Sequence, residues 1–512
     1  MAEILHRWEW RSFGSHFDRA QRGLEVFGPI GDPQDTHELY IAGADGFNLK
    51  IRSELLDLKV LLEVDDDGLQ LWAPVIKAAF PIEAEVVLAV FEEWGRDRPQ
   101  LERSSYTQEQ FLAEVIAPLP DATPVDVRKH RVRYAPAGCM AELTDLIANG
   151  KRTRTVAVES EDRGAVLKVI SELGLSGYEN TSYTRGLSCL LGRTPVRYAV
   201  IDVGTNSVKF HVGEQRPDGT WTRVIDRAAV TRLGEGLGES GEIDPEPMER
   251  TVEAIAAMVD EARNADVLAL AAVGTAGMRI ARNREAVLAR FLEGAGIEVE
   301  VVSGDEESRL AYLAAKAGVG LADGSVVVFD TGGGSTQFTF GRRDDIVERF
   351  SVDVGAVPYT ERFGLDGAVG SETIREAIAA ISSDLSRIGD RDTPDALVAM
   401  GGAVTNLAAI SHSMVEYDPD IVQGTVLDVE EIDRLIEIFR SKDSSSRRSM
   451  VGIQSNRAEV ILAGACIVRT IADMLGCAEL TVSDRGLRHG LMAERFGLFE
   501  SPGSGSGLGS SH

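Results

Sequence analysis

From residue 196 onward the apolar residues fall into short runs that stop abruptly at glycine. Tyr198–Asp202 reads as a buried strand ending in a tight turn, Ser207–Val212 alternates and returns as a second strand, and Thr222–Ala229 supplies a third. A helical period follows over Pro245–Asn264, with Asp244 as N-cap before Pro245, and Val267–Val273 is another buried strand. The same order then recurs: Ser325–Asp330, Ser335–Phe340, Ile346–Asp353, a helix near Glu372–Ile388, and Ala396–Met400. The halves align residue by residue. DVGTNSVKFHVG, from Asp202, matches DTGGGSTQFTFG, from Asp330, and AAVGTAG, from Ala271, matches VAMGGAV, from Val398. This predicts a duplicated βββαβα unit and a two-lobed α/β molecule with a cleft between its halves.

Residues 1–194 have a different pattern. Val127–Tyr134 and Thr153–Glu159 read as strands. Basic residues stand two apart at Lys50 and Arg52 and again at Lys129, Arg131 and Arg133, so each set shares one strand face. Glu142 and Glu159 add separated carboxylates. A solvated charged sheet face is the plain reading of this pattern, and an anion-binding surface is the functional one. The end, SPGSGSGLGSSH, is low-complexity Gly/Ser, and residues 499–512 are expected to be disordered.

Composition narrows the possibilities. A chain of 512 residues suggests about three folding units, and 44% hydrophobic with 26% charged residues is ordinary globular content. No apolar run is long enough to cross a bilayer, and MAEILHRWEWRSFG lacks the apolar core of a secretory signal. Cys139, Cys189, Cys466 and Cys477 form no CxxC or Cys/His metal spacing, which predicts reduced thiols and a cytoplasmic protein. The net charge of -28 argues against nucleic-acid or anionic-membrane partners. It leaves anionic small molecules open, because backbone N–H groups, a few cations and a divalent metal suffice to bind phosphate.

The repeated Asp-x-Gly turns suit that chemistry. Glycine permits a tight turn and close backbone approach, and successive N–H groups form an anion nest. The candidates are Gly204, Thr205, Asn206 and Ser207 in the first loop, and Gly332, Gly333, Gly334 and Ser335 in the second. Thr331 can add a hydroxyl, and Gly401-Gly402 is a third glycine element at the matching place in the repeat. Asp202 and Asp330 end their strands beside the loops, where they can hold Mg²⁺ or its waters. Either loop alone also reads as a Gly-rich β-hairpin. The matched pair in register favours a ligand site.

The segments AVIDVGTNSVKFHVG, GEGLGESGEI, VGTAGMRIARN, VVSGDEESRLAY, VVVFDTGGGSTQFTFG, DVGAV, VAMGGAVTNLA and VSDRGLRHGLM together resemble the Ppx/GppA phosphatases over nearly all of 196–498. The resemblance implies a duplicated actin-like (ribonuclease H-like) core. Lobe I would cover 196–303, rejoined by a last helix near 486–498, and lobe II would cover 304–485. It also implies hydrolysis of terminal phosphates from inorganic polyphosphate or guanosine pentaphosphate, with Mg²⁺ or Mn²⁺. Glu307, the glutamate before a small residue and Arg, takes the family's catalytic position; an exposed first-turn glutamate is the alternative. Ser303 and Glu306 have capping-box spacing, so Glu306 reads as a cap. The pattern assigns Arg279 to a phosphoryl oxygen, where the residues alone equally allow a surface salt bridge.

The second loop departs from the pattern. The family's GGGSTE reads Gly332-Gly333-Gly334-Ser335-Thr336-Gln337 here, and alternation turns Gln337 toward the cleft. Lys209, its repeat equivalent, faces the same way and is a candidate phosphate ligand. A catalytically weak polyphosphate or guanosine tetra- or pentaphosphate sensor is therefore the second reading, ahead of a kinase of the same fold class. The N-terminal region resembles a CYTH (triphosphate tunnel) domain, an α+β antiparallel barrel that holds a triphosphate and metal between basic and acidic residues. The CYTH signature ExExK is absent as such; Trp8-Glu9-Trp10-Arg11 stands there. Polyphosphate binding is thus expected of Lys50, Arg52, Lys129, Arg131, Arg133, Glu142 and Glu159, rather than triphosphatase activity. The HD-type helical domain of longer family members is expected to be missing, and a homodimer is compatible with the resemblance.

Overall fold

The computed structural model describes residues 6–15, 17–43, 46–205, 207–235, 237–319, 324–342, 345–389, 391–455 and 457–497. Asn206 and the Gly/Ser tail lie outside the described residues. The chain divides into two compact units, broken after Val301 and again before Glu494.

The first unit begins with eight antiparallel strands: β1 (Arg7–Gly14), β2 (Gln34–Ala42), β3 (Phe47–Arg52), β4 (Leu55–Val64), β5 (Gln70–Ala79), β6 (Thr123–Tyr134), β7 (Met140–Ala148) and β8 (Lys151–Ser160). They close into a barrel in the order β1-β8-β7-β6-β2-β3-β4-β5. The barrel is inside-out in polarity. Leu49 and Ile51 of β3 pack outward with the helix Ala84–Glu93, and Val156 and Val158 of β8 pack outward with the helix Arg163–Glu172. Strand alternation therefore turns Lys50, Arg52 and their partners inward. The charged face therefore lines the interior of a closed barrel rather than an open sheet surface.

The same unit continues with β9 (Arg197–Val203), β10 (Ser207–Gln215), β11 (Trp221–Val230), β12 (Ala269–Gly274) and β13 (Val299–Val301), ordered β11-β10-β9-β12-β13. The expected helix spans Pro245–Asn264, but Asp244 at its N-cap makes no side-chain capping bond. A strap, residues 177–181, joins barrel and sheet. Leu270 N–H donates to the Gly177 carbonyl at 2.7 Å, and Glu179 N–H donates to the Leu268 carbonyl at 2.9 Å. Further along, Thr181 N–H donates to the Arg11 carbonyl at 2.6 Å. Asn180 accepts from Arg11 N–H at 2.9 Å and donates to the Glu9 carbonyl at 2.8 Å. Gly177 is required there, because a Cβ would overlap the Leu270 carbonyl.

The second unit repeats the plan with β14 (Ser325–Thr331), β15 (Thr336–Arg342), β16 (Asp345–Val352), β17 (Ala396–Met400), β18 (Val426–Asp428) and β19 (Glu479–Val482), ordered β16-β15-β14-β17-β19-β18. Its core centres on the helix Ile461–Met474, apolar and buried nearly all round, packed against the helices Ser371–Asp384 and Val429–Arg440. The internal repeat is also a repeat of register: Asp202 lies opposite Lys209 as Asp330 lies opposite Gln337. None of the four cysteines forms a disulfide, and among the described residues no helix is long and apolar enough to cross a membrane.

Candidate functional site

In the first unit, β9 delivers Asp202 to the mouth of the Gly204 turn. Gly204 N–H closes the turn on the Ser207 carbonyl at 3.1 Å. Thr205 is exposed at the tip, and its carbonyl accepts from Gly234 N–H at 2.8 Å. Asp202 is buried, its Oδ2 lies 3.4 Å from Lys209 Nζ, and its Oδ1 has no hydrogen-bond partner. An orphaned buried carboxylate oxygen is costly, and a hard cation that takes oxygen ligands suits it. The carboxylate at this loop therefore fits a divalent cation. Thr275, at the end of β12, ties the turn down by donating its N–H to the Val203 carbonyl at 3.2 Å. The short helix Ala276–Ile280 that follows carries the half-buried Arg279.

The second unit has a loop of the same construction. Gly332 N–H donates to the Ser335 carbonyl at 2.9 Å, leaving Gly332, Gly333 and Gly334 exposed. The segment around Gly355 buttresses it, since Ala356 and Val357 N–H groups donate to the Gly332 and Gly333 carbonyls at 3.1 and 2.8 Å. Gln337 and Ser335 share a face as expected, with Nε2 donating to Ser335 Oγ at 2.8 Å, while Phe338 is buried on the other. Gly401 has φ +99°, and a Cβ there would lie 2.7 Å from Asp330 Oδ1 and closer still to the Thr331 carbonyl. The third glycine element is thus built against the second loop. Gly402 opens a helix over which the Arg457 guanidinium lies so closely that a Cβ would come within 2.5–2.7 Å of its atoms. Arg457 Nε is buried without a hydrogen-bond partner. The sequence reading missed Arg457; it is distant in sequence from Gly402, and only an unassigned arginine in QSNRAE signalled it.

Glu307 is half-buried on the first turn of the helix Gly304–Val319. Its neighbours are engaged elsewhere. Asp305 pairs with Arg349 at 2.8 Å, and Glu306 holds Arg309 through two bonds of 2.7 and 2.9 Å. Ser303 does cap the helix, its hydroxyl accepting from Glu306 N–H at 3.1 Å.

The barrel interior is dense with ion pairs. Glu38 receives Lys129 at 2.9 Å and Tyr40 OH at 2.9 Å, with Lys50 at 3.5 Å and Arg52 and Arg131 each at 3.7 Å. Glu142 accepts from Arg11 at 3.0 Å and pairs with Arg131 at 3.2 Å, and Arg133 lies opposite it across the ladder. Glu159 pairs with Arg7 at 3.3 Å, and Glu9 with Arg11 at 3.1 Å and Lys59 at 3.8 Å. Burial opposes ionisation of Glu38, but Lys129 and Lys50 outweigh it and hold its carboxyl well below the usual range. Burial likewise opposes Glu142, and Arg11 and Arg131 hold it down at about 2. Burial lowers the Lys129 ammonium to about 8 against the pull of Glu38. Glu159 moves the other way, raised by burial and by Glu9.

The barrel glutamates are held by basic side chains rather than gathered around a divalent ion, although Glu38 Oε1 is buried without a hydrogen-bond partner. Each of these glutamates is already paired with a cation, and where ExExK has its first glutamate the inward residue is Arg7. Reading Trp8–Arg11 alone hid this; the inward triad of β1 is Arg7, Glu9 and Arg11.

Residues 212–498 match the sequence model of the Ppx/GppA phosphatase family, a match that starts within β10 and does not include the barrel. Exopolyphosphatase 2 of Mycobacterium tuberculosis is 29% identical over 323 residues, covering 58% of this chain and 97% of that protein. A bifunctional 3-dehydroquinate synthase/phosphatase of Fusobacterium nucleatum is 24% identical over 310 residues; the match covers 58% of this chain and spans only 46% of that protein. A crystal structure of the Aquifex aeolicus member of the Ppx/GppA family shares 31% identity, covers 59% of this chain and 97% of its own, and superposes with a TM-score of 0.55. With motif, register and relatives in agreement, the chain belongs to the Ppx/GppA phosphatase family, hydrolases of phosphoanhydride bonds.

Proposed function

We propose that this protein is a divalent-metal-dependent exopolyphosphatase that releases orthophosphate from the end of inorganic polyphosphate, with guanosine pentaphosphate as the competing substrate class. The observation that carries this reading is the repeated loop with its strand-end carboxylate, Asp202 opposite Lys209 and Asp330 opposite Gln337. The N–H groups of the two loops bind non-bridging phosphate oxygens, and Arg279, Lys209 and Arg457 add charge. Asp202 and Asp330 hold Mg²⁺ or Mn²⁺, which supplies charge neutralisation to the phosphoryl oxygens when bound. Glu307 orients a water and takes its proton as the water oxygen bonds to phosphorus and the bridging P–O bond breaks. The barrel binds polyphosphate through its cationic lining, and two phosphate-binding modules on one chain favour a long polyanion by raising effective concentration.

The test is phosphate release with Mg²⁺ from long-chain polyphosphate, tripolyphosphate and guanosine pentaphosphate, run beside Glu307→Gln and Glu306→Gln. Glu307→Gln is expected to lose about 10²–10⁴-fold in rate, and Glu306→Gln to keep most of it. Full activity in Glu307→Gln would overturn the assignment. A second reading rests on Gln337, an uncharged residue where the family carries an acid. Retained binding of polyphosphate or guanosine tetraphosphate, with no turnover of any substrate, would establish a sensor.

A further inference from the structure

We propose that the barrel is a blind socket that takes the terminal phosphoryl group of a linear phosphate chain and rejects chain interiors and rings. The inference rests on the reading that the barrel binds polyphosphate, and adds which part of the polymer it recognises.

One end of the barrel is shut by a floor of aromatic rings. Ser182 caps the helix Tyr183–Leu190 that follows the strap, and this helix pushes Tyr183 up into the barrel. The Tyr183 ring stacks on Tyr40 at 4.8 Å and meets Phe13 edge-on at 5.4 Å. Gly186 lies flat against Phe13, where any Cβ would overlap the ring, so the helix is seated tightly. Phe13 and Tyr40 are each 1% exposed.

Directly above this floor the cations converge. Lys129 Nζ sits 4.1 Å from the Tyr183 ring centre and 4.7 Å from that of Tyr40. Lys129, Lys50, Arg52 and Arg131 all surround the single carboxylate of Glu38. Lys129, Lys50 and Arg131 are the least exposed of these, although Arg131 also pairs with Glu142 and Asp57 lies opposite Lys50; charge at that depth is least screened. Exposure rises outward: the side chains of Lys129 and Arg131 are 1% and 8% exposed, against 40% for Arg7 and 42% for Arg52. An eight-stranded barrel is just wide enough for its side chains or one small ligand. A chain entering from the Arg7 end cannot pass through, nor fold back on itself within the bore.

Whatever reaches Lys129 is consequently an end. A terminal phosphoryl group also fits the charge best, having three non-bridging oxygens and a second ionisable site where an internal phosphate has two oxygens and one charge. A linear polyphosphate has two such ends. Holding one leaves the other for hydrolysis, so the same chain stays attached through successive cleavages.

The experiment uses the full chain carrying Glu307→Gln, so that substrate is not consumed, titrated calorimetrically in EDTA. The probes are linear tripolyphosphate and cyclic tetrametaphosphate, of comparable charge but without an end. Each titration is repeated with Lys129→Met added, and with Lys50→Met in case the first variant fails to fold by circular dichroism. Loss of one charge-assisted contact predicts that tripolyphosphate weakens about 10–100-fold in either variant, while the ring binds weakly and is indifferent to both. Ring and chain binding equally, both weakened by Lys129→Met or Lys50→Met, would overturn end recognition and leave the barrel as a general polyphosphate site. Tripolyphosphate binding that neither substitution affects would remove the barrel from phosphate binding altogether, without touching the Glu307 assignment.

Discussion

Gln337→Glu tests whether the second loop faces a cation. Gln337 lies across the ladder from Asp330, and its amide donates to Ser335 Oγ at 2.8 Å. A glutamate there puts two carboxylates opposite one another, which costs about 0.2–1 kcal/mol. Losing the amide donor costs about 0.5–1.5 kcal/mol more, partly offset because the Ser335 hydroxyl can donate to the new carboxylate instead. Without divalent metal the variant should therefore be about 1 kcal/mol less stable, a fall of about 2–4 °C in Tm for a unit of this size. With metal the sign reverses. An added carboxylate beside the ion is expected to raise affinity about 10–100-fold, or about 1.4–2.7 kcal/mol. The assay is thermal melting across a Mg²⁺ titration, with phosphate release measured alongside. The two melting curves should cross, the variant being weaker in EDTA and stronger in saturating Mg²⁺. Parallel curves with one Mg²⁺ midpoint would refute the placement of Asp330 and Gln337 on an ion-binding face.

Other outcomes follow from the same geometry. Gly401→Ala forces a side chain into a left-handed backbone and against Asp330 and the Thr331 carbonyl; a loss of about 2–4 kcal/mol is expected in urea unfolding, and unchanged stability would contradict the close packing of the third loop. Glu142 has its pKa lowered from 4.5 to about 2, so it stabilises the fold above the unfolded value and that contribution fades as pH falls from 4.5 through about 2. At most about 3 kcal/mol is involved, and urea titrations over this range should show a shallower acid limb in Glu142→Gln. Lys209→Met removes the cation 3.4 Å from Asp202; it should weaken substrate binding while leaving the Mg²⁺ midpoint unchanged or tighter, and an unchanged KM for polyphosphate would remove Lys209 from the phosphate site.

The core was legible because it is written twice. A strand that stops at Asp-x-Gly is ambiguous alone, but Asp202 and Asp330 with their following strands constrain one another; the observed β9 is one residue longer than expected at each end, and β14 one residue longer at its C-terminal end only. What was not legible depends on contacts distant along the chain. Nothing near Gly402 announces Arg457. The inward row of β1 was misread because an acidic signature was sought where Arg7 and Arg11 stand. Tyr183 drew no notice, since a helical tyrosine shows its role as a floor only when Tyr40 and Phe13 are brought beneath it. Asp244 is the N-cap residue as expected, but its side chain makes no capping bond.

The strap at 177–181 bears on how such a protein can be taken apart. Its hydrogen bonds to Leu268 and Leu270 on one side, and to Glu9 and Arg11 on the other, make it an edge of both the barrel and the neighbouring sheet. A linker that only tethers can be cut, lengthened or exchanged. This one cannot, because severing it strips backbone partners from both structures at once. Barrel and first sheet are therefore expected to unfold together, and transplanting the barrel onto another phosphatase requires carrying the strap's docking strand with it.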